Sequence, residues 1–175
     1  WSDLELEVQV SIEITRATSA INRGDDAVPI AERALFLART LTDKLRDRMT
    51  GKAVGTLGRA RLHAGDPTAA CDLLEQSVEF HRDYANEEEP RSRCYLATAR
   101  RMSGDPGAAL AEVDGALELT AKRSMFSSSR TTRLFLFLEK GRCELELRRP
   151  EAALLSFDEV IRGQLKDDDY PRIAA

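Results

Sequence analysis

The chain has 175 residues, of which 42% are hydrophobic and 32% are charged, and its formal net charge at pH 7 is −4. This balance is typical of a globular protein rather than a disordered one. The negative charge argues against bulk attraction to nucleic acid or to an anionic membrane. No stretch approaches the roughly 18 uninterrupted apolar residues that a membrane span needs.

No basic segment followed by an apolar core is present at the start of the chain, so no signal peptide is predicted. The three cysteines, Cys71, Cys94 and Cys143, are widely spaced and odd in number. They form neither a disulfide framework nor a metal-binding pattern. We interpret them as small buried hydrophobic side chains. Reduced thiols suit a cytoplasmic protein.

Apolar residues follow helical spacing nearly throughout the chain. The breaks between these segments are short and carry turn residues. Gly65 and Gly104 suit the left-handed residue that ends a helix, and Asp25, Asp66 and Asp105 are natural N-caps. In chain order, these signals predict antiparallel helix pairs at 3–22 and 26–46, at 50–64 and 66–85, at 90–102 and 105–122, and at 129–147 and 149–164.

One turn pattern recurs along the chain. The sequence GDPTAA at 65–70 returns as GDPGAA at 104–109 and, degraded, as RRPEAA at 148–153. A recurring turn at near-constant spacing indicates a helical repeat array. The small residues that open the second helix of each pair are Ala27, Ala70, Ala109 and Ala153. Twelve residues before them lie Thr15, Gly58, Ala97 and Gly141, which are expected to let the two helices of a pair approach closely.

These residues resemble the tetratricopeptide repeat (TPR) family, which has a small residue in its first helix, a Gly-Asp-type turn and alanines in its second helix. The resemblance implies an all-α, right-handed superhelical solenoid of about four repeats, whose usual work is protein–protein interaction. The unit here is longer than the usual 34 residues. In that respect it is similar to the long-helix variant found in bacterial multidomain regulators and signalling proteins.

The acidic run before Pro90 recurs before Pro171, two repeat lengths later, as Asp167 to Asp169. We therefore expect residues 170–175 to begin a fifth helix pair. On this interpretation, residues 1–175 form a single repeat array within a longer protein.

The resemblance also implies that the first helices of the pairs line a concave groove. In the predicted register, the groove receives Gln9, Ile12, Arg16, Lys52, Gly55, Arg59, Arg91, Thr98, Arg101, Phe135, Leu138 and Arg142. Arg16, Arg59 and Arg142 share one mid-helix position with Thr98. Arginine binds carboxylates bidentately, so one hypothesis is an acidic or C-terminal peptide segment in this groove. The alternative is that these side chains are solvated and paired with neighbouring Glu.

The run Leu134 to Leu138 is apolar all round, as in a helix that is buried on more than one side. Packing within the array explains this pattern. A second interpretation is an apolar peptide pocket, or a contact with another domain, at Phe135 and Leu138.

No catalytic or cofactor chemistry is predicted. His63 and His81 have no arrangement that resembles a triad, and no phosphate loop or zinc motif is present. The acidic runs at 87–89 and 167–169 are interpreted as helix starts and not as metal sites. The sequence therefore predicts a non-enzymatic interaction module, and the resemblance to the long-helix variant implies the regulatory part of a bacterial signalling or transcription-regulatory protein. The alternatives are a sensor of a small effector and a structural spacer or self-association array.

Overall fold

The computed structural model describes residues 2–83, 88–122 and 127–165. Within these ranges it contains helices and no strands. The helices are α1 Asp3–Arg23, α2 Val28–Arg39, α3 Asp43–His63, α4 Pro67–Asp83, α5 Glu89–Met102, α6 Pro106–Lys122, α7 Ser127–Glu146 and α8 Pro150–Leu165.

Every helix packs against the next one in the chain, and the odd-numbered helices also contact each other along one side. The contact between α3 and α5 is much smaller than those between α1 and α3 or between α5 and α7. The predicted all-α solenoid of helix pairs is confirmed. No helix in the described part of the chain is both long and apolar enough to cross a bilayer.

The four odd-numbered helices end in the same way. Each is followed by a residue with left-handed backbone: Gly24, Gly65 and Gly104 at φ of 81°, 81° and 89°, and Arg148 at 59°. The amide of this residue donates to the carbonyl three residues back, and the next amide donates to the carbonyl five residues back. This is the Schellman arrangement, which satisfies carbonyls left over at the helix end. Of these four residues, Arg148 alone has a side chain.

The predicted N-caps are confirmed at two of three positions. Asp66 Oδ1 accepts from the amide of Ala69 at 3.0 Å, and Asp105 caps α6 in the same way through Ala108 at 2.9 Å. The prediction for Asp25 is wrong, because α2 starts later, with Ala27 as its N-cap. Asp25 instead accepts from Arg23 Nε at 2.8 Å.

The longer connection between α1 and α2 shifts the register of the first repeat. Seven residues before the left-handed residue lie Ala17, Gly58, Ala97 and Gly141, all of which are buried. The prediction that Thr15 holds this position is therefore wrong: Thr15 is exposed. In α2 the corresponding correction replaces Ala27 with Ala31, which is fully buried and has the same place after its N-cap as Ala70 has in α4.

The second helix predicted at 26–46 is in fact two elements. α2 ends at Arg39, where the hydroxyl of Thr40 donates to the carbonyl of Leu37 at 2.7 Å. Leu41 is buried at 2% exposure and anchors the connection. Thr42 is extended, with φ −104° and ψ 152°, and serves as the N-cap of α3, which therefore starts earlier than residue 50. The predicted fifth pair at 170–175 lies outside the described residues.

Small residues let the helices of a pair approach closely, as predicted. A Cβ atom on Gly58 would lie 2.7 Å from Leu74 Cγ, a separation that no packed side chain tolerates. One core cluster spans α1, α2 and α3, a second joins α4 to α5, and a third spans α5, α6 and α7. The core is therefore distributed along the array, as in other solenoids.

Candidate functional site

A cavity of about 300 Å³ opens between α3 and α5, on the side of the array that the odd-numbered helices form. α1 supplies one wall and α4 the floor. The cavity therefore lies between the two neighbouring odd-numbered helices that touch least. Its lining residues are Ile14, Thr15, Thr18, Lys52, Gly55, Thr56, Arg59, Leu74, Ser77, His81, Glu88, Arg91, Ser92 and Tyr95.

Arg59 is the central cation of this cavity. Its guanidinium carbon lies 4.6 Å from the centroid of the Tyr95 ring, within the range of a cation–π contact. Its Nε atom is buried and has no hydrogen-bond partner among the described residues. Burial lowers the pKa of Arg59, whereas the nearby Tyr95 acts in the opposite direction. The group nevertheless remains a cation, because arginine is not deprotonated in proteins.

Two further cations, Lys52 and Arg91, line the same cavity. The one carboxylate among the lining residues, Glu88, lies 3.8 Å from Arg91. The cavity is therefore electropositive, although the chain as a whole has a net charge of −4. A site of this kind favours an anionic group over a neutral or cationic one.

The floor of the cavity contains polar side chains that form hydrogen bonds with one another and with the backbone. Ser77 Oγ donates to the carbonyl of Gly51 at 3.2 Å and lies 3.2 Å from Ser92 Oγ. The hydroxyl of Thr56 donates to the carbonyl of Lys52 at 2.9 Å. His81 is 4% exposed, and burial lowers its pKa. The hydroxyls of Ser77, Ser92 and Thr56 are thus bonded within the protein, whereas the buried Nε atom of Arg59 has no partner in the described part of the chain.

Some of the predicted groove residues on α1, α3 and the start of α5 line the cavity, and others do not. Lys52, Gly55, Arg59 and Arg91 line the cavity. Gln9, Ile12 and Arg16 do not, because the register of α1 differs by two residues from the predicted one. Ile14 and Thr18 occupy the corresponding positions instead. Arg16 is exposed and lies 3.1 Å from Glu13, a carboxylate that Arg33 also approaches at 3.5 Å.

In the second half of the groove the arginines are paired with carboxylates. Arg101 contacts Glu139 at 2.5 Å and Glu146 at 2.8 Å, and Arg142 contacts Glu139 at 3.3 Å. Glu139 is 2% exposed. The hydroxyl of Thr98 donates to a backbone carbonyl of its own helix. The alternative of pairing with neighbouring Glu thus describes Arg16, Arg101 and Arg142, but it does not describe Arg59.

The apolar run of α7 has both a buried and an exposed side. Leu136 is fully buried, in the cluster with α5 and α6, and Leu134 packs close to Gly163 of α8. Leu138 is half-buried, and Phe135 is 59% exposed. Packing within the array explains most of the run. A partner contact at Phe135 and Leu138 stays a prediction.

Sequence reasoning missed Tyr95, Ser77, His81 and Thr18. A signal for Tyr95 was available, because it lies three residues before Thr98 and thus on the same helix face. Thr18 could not be found while the first repeat was registered on Thr15.

The cysteines and His63 add no reactive site. Cys94 and Cys143 are buried, as interpreted, and burial raises the pKa of each thiol to about 12. Cys71 is half-buried and lies 3.9 Å from Ser103 Oγ. His63 is exposed in the last turn of α3. No group of three metal-ligating side chains occurs in the ranges that the structure describes.

No protein-family model and no curated protein sequence matches the chain. Two solved structures of a Podospora anserina protein, described as a kinesin light chain with nearly identical TPR-like repeats, share its fold with a TM-score of 0.68. Each is 20% identical in sequence, and the match covers 91% of this chain and 77% or 76% of theirs. One of the two carries a single substitution. At this identity the likeness shows the fold, a TPR-like helical solenoid.

Proposed function

We propose that this chain is a protein-interaction module whose groove binds a partner peptide, with a carboxylate of that peptide held by Arg59. A single observation carries the proposal. Arg59 is stacked on Tyr95 in an electropositive cavity and makes no ion pair with a carboxylate of the described residues, although Arg16, Arg101 and Arg142 each make one.

The energetics favour an anionic ligand. Burial removes the Arg59 guanidinium from water, and an anionic ligand group can replace part of the lost hydration with charge-assisted interactions. Tyr95 holds the guanidinium plane in place, so little side-chain entropy remains to be lost on binding. Lys52 and Arg91 add attraction at the cavity rim. A carboxylate can accept two parallel N–H bonds from one guanidinium, which adds geometric selectivity.

The size of the cavity sets how much of a partner it can hold. A volume of about 300 Å³ accommodates one side chain or a chain terminus but not a folded element. The rest of the peptide would follow the groove along the odd-numbered helices. Phe135, which is 59% exposed on α7, would offer an apolar contact to an extended peptide.

A direct test is binding of fluorescent peptide pools that differ only in acidic, neutral or basic side chains, with free or amidated C-termini. We expect the wild-type chain to prefer acidic peptides or free C-termini. Arg59→Gln should weaken that binding at least about tenfold, because the cavity loses its central cation. The comparison of free and amidated termini shows whether the carboxylate comes from a side chain or from the chain end.

Arg142→Gln is the matched control, because Arg142 holds the corresponding position on α7 but is already paired with Glu139. It should change peptide affinity little. Equal losses for the two variants, or no preference for acidic peptides, would contradict the proposal.

A second candidate is the sensing of a small carboxylate-bearing effector. The observation that favours it is the cavity volume of about 300 Å³, which lies at the lower end of small-molecule sites. Thermal-shift screening of small mono- and dicarboxylates separates the two functions. A small molecule that stabilises the wild type but not Arg59→Gln, with no peptide preference, would favour the sensor.

We further propose that the module is the regulatory part of a cytoplasmic bacterial signalling or transcription-regulatory protein. The support is the repeat length: Ala70 and Ala109 are 39 residues apart, and Ala109 and Ala153 are 44 apart. Both spacings exceed the usual 34-residue unit and are similar to the long-helix variant found in such regulators. The domain to which this array is joined in the full polypeptide tests this assignment, and a non-regulatory neighbour would contradict it.

A further inference from the structure

The cavity between α3 and α5 carries more positive charge than one carboxylate can neutralise. Among its described lining residues, Lys52, Arg59 and Arg91 are cations and Glu88 is the one carboxylate. His81 also lines the cavity, and burial lowers its pKa, so that it is neutral at pH 7. Three cations against one carboxylate leave the described lining with a formal charge of +2.

Lys52 and Arg91 hold the same position on neighbouring helices. Each lies thirteen residues before the left-handed glycine that ends its helix. The corresponding residues of α1 and α7 are Ser11 and Phe135, which carry no charge. Within the described odd-numbered helices, this pair of cations therefore occurs at the seam where the cavity opens.

The wall of α3 has no side chain between its two cations. Lys52, Gly55 and Arg59 lie on one face of the helix, because they are separated by three and by four residues, and all three line the cavity. Counted back from the helix end, the residues that correspond to Gly55 are Ile14 on α1 and Leu138 on α7. A ligand group can therefore approach the backbone of α3 between the two cations.

The charges around Arg59 act on one another. Burial has the largest effect on the pKa of Arg59 and lowers it, and the positive charge of Arg91 lowers it further. Tyr95 and Glu88 act in the opposite direction. Two like charges that interact in this way destabilise each other, and an anion bound between them would relieve the repulsion.

We infer that the anionic group this cavity binds most tightly is a phosphomonoester, carried by a phosphorylated residue of the peptide. The inference rests on the proposed function, because it names the chemistry that the same site selects. A phosphomonoester has a charge close to −2 at pH 7 and three acceptor oxygens. The charge matches that of the described lining, and the three oxygens suffice for Lys52, Arg59 and Arg91. A carboxylate has one charge and two oxygens, so it leaves part of the positive charge unneutralised.

Fluorescent peptide pools that differ in one central residue, which is phosphoserine, glutamate or serine, test the inference. At about pH 7.5, where the phosphate is a dianion, the wild type should bind the phosphoserine pool at least about tenfold more tightly than the glutamate pool. The serine pool should bind most weakly.

The rim cations should be responsible for the preference for phosphoserine over glutamate. Lys52→Gln and Arg91→Gln should each lower the ratio of the two affinities about threefold, because the dianion uses each exposed cation more than the carboxylate does. Arg39→Gln is the control. It removes an exposed cation from the last turn of α2 and should leave the ratio unchanged. Circular dichroism confirms that each variant is folded.

The ionisation of the phosphate gives a second measurement. The second pKa of a phosphomonoester is about 6, whereas that of a glutamate side chain is about 4.3. Between about pH 5.5 and pH 7.5, affinity for the phosphoserine pool should therefore rise about threefold relative to affinity for the glutamate pool. The comparison of the two pools cancels the titration of protein groups such as His81. A ratio that does not change with pH would contradict binding of the dianion.

Inorganic phosphate and free phosphoserine, added as competitors, distinguish a peptide from a small phosphorylated molecule. Both should compete much more weakly than the phosphoserine pool. Competition at equal concentrations would overturn the peptide as the source and assign the site to a small phosphorylated molecule. Binding of the glutamate pool without any gain from phosphoserine would overturn the inference and leave the proposed function intact. If neither pool binds, both are overturned.

Discussion

Both halves of the groove carry arginines on the same side of the array, but these arginines have different partners. Arg59 on α3 meets Tyr95 on the next odd-numbered helix, whereas Arg101 on α5 meets Glu139. Tyr95 and Glu139 hold corresponding positions, each nine residues before the left-handed residue that ends its helix. The next odd-numbered helix thus brings an aromatic ring to Arg59 and a carboxylate to Arg101.

This difference has consequences for the stability of the array and for ligand binding. In the second half, a buried carboxylate and its arginines must be kept together, since removing one partner leaves a buried charge. In the first half, the aromatic ring positions the cation without neutralising it. We therefore expect Arg101 and Arg142 to contribute to stability and Arg59 to contribute to binding.

The largest effect is expected from breaking the pairing in the second half. Glu139→Gln should lower the free energy of unfolding by about 2–4 kcal/mol, because Arg101 and Arg142 lose a carboxylate that is 2% exposed. Urea denaturation measures this change. Glu146→Gln is the control and should cost less than about 1 kcal/mol, since the side chain of Glu146 is 41% exposed. Equal losses for the two variants would show that Glu139 has no special structural role.

A carboxylate can be placed in the first half of the groove at the position that it holds in the second half. Tyr95→Glu places a carboxylate beside Arg59, at the position that Glu139 holds in α7. We expect affinity for acidic peptides to fall at least about tenfold, which corresponds to about 1.4 kcal/mol. Tyr95→Phe keeps the ring and should bind as the wild type does. If the Tyr95→Glu variant binds acidic peptides as strongly as the wild type does, the residue at position 95 does not control this affinity.

The floor of the cavity should make the first half sensitive to pH. His81 corresponds to Thr120 of α6. Burial lowers the pKa of His81 below the ordinary 6.5, and Lys52 lowers it further. Glu88 and Glu89 act in the opposite direction but do not cancel the effect of burial. The folded state therefore favours neutral His81. Its stabilising contribution is complete above about pH 6.5 and is lost as the pH falls through the lower folded-state value.

Between about pH 7.5 and pH 5.5, the wild type should lose on the order of 1 kcal/mol more stability than His81→Thr. Urea denaturation at each pH measures the difference. The exposed His63 serves as the control, because His63→Thr should leave the pH dependence of the wild type unchanged. Identical pH profiles for the wild type and His81→Thr would exclude His81 as the source.

The smallest expected effect concerns the turn that distinguishes the last pair from the others. Arg148 adopts φ of 59° where Gly24, Gly65 and Gly104 stand in the other turns. Arg148→Gly should raise the free energy of unfolding by up to about 1 kcal/mol, because relief of the left-handed strain exceeds the added chain entropy of glycine. Arg148→Ala keeps the strain and should not stabilise the protein. Thermal unfolding of both variants measures the effect.

Much of the fold could be predicted because the turns are local. Gly65, Asp66, Gly104 and Asp105 carry their backbone preferences in their own side chains, so the second and third repeats were registered correctly. The first repeat was not, because its turn is two residues longer and Asp25 is a plausible but unused cap. The groove-facing helices could also be identified. The pairs of Arg16 with Glu13 and of Arg142 with Glu139 are local, since each lies within one helix at a spacing of three residues. The pairing of Arg101 with Glu139 and the stacking of Arg59 on Tyr95 could not be predicted, because they depend on which side chain the next helix brings opposite each arginine.

The small contact between α3 and α5 has a mechanical consequence. The first three helices share one core cluster and the last odd-numbered helices share another, with the narrower α4–α5 cluster between them. Because α3 and α5 touch so little, we expect the groove side of the array to widen or narrow most easily at this seam, where the cavity opens. A ligand bound between α3 and α5 would hold these two helices apart. The curvature of the whole array would then change at this point.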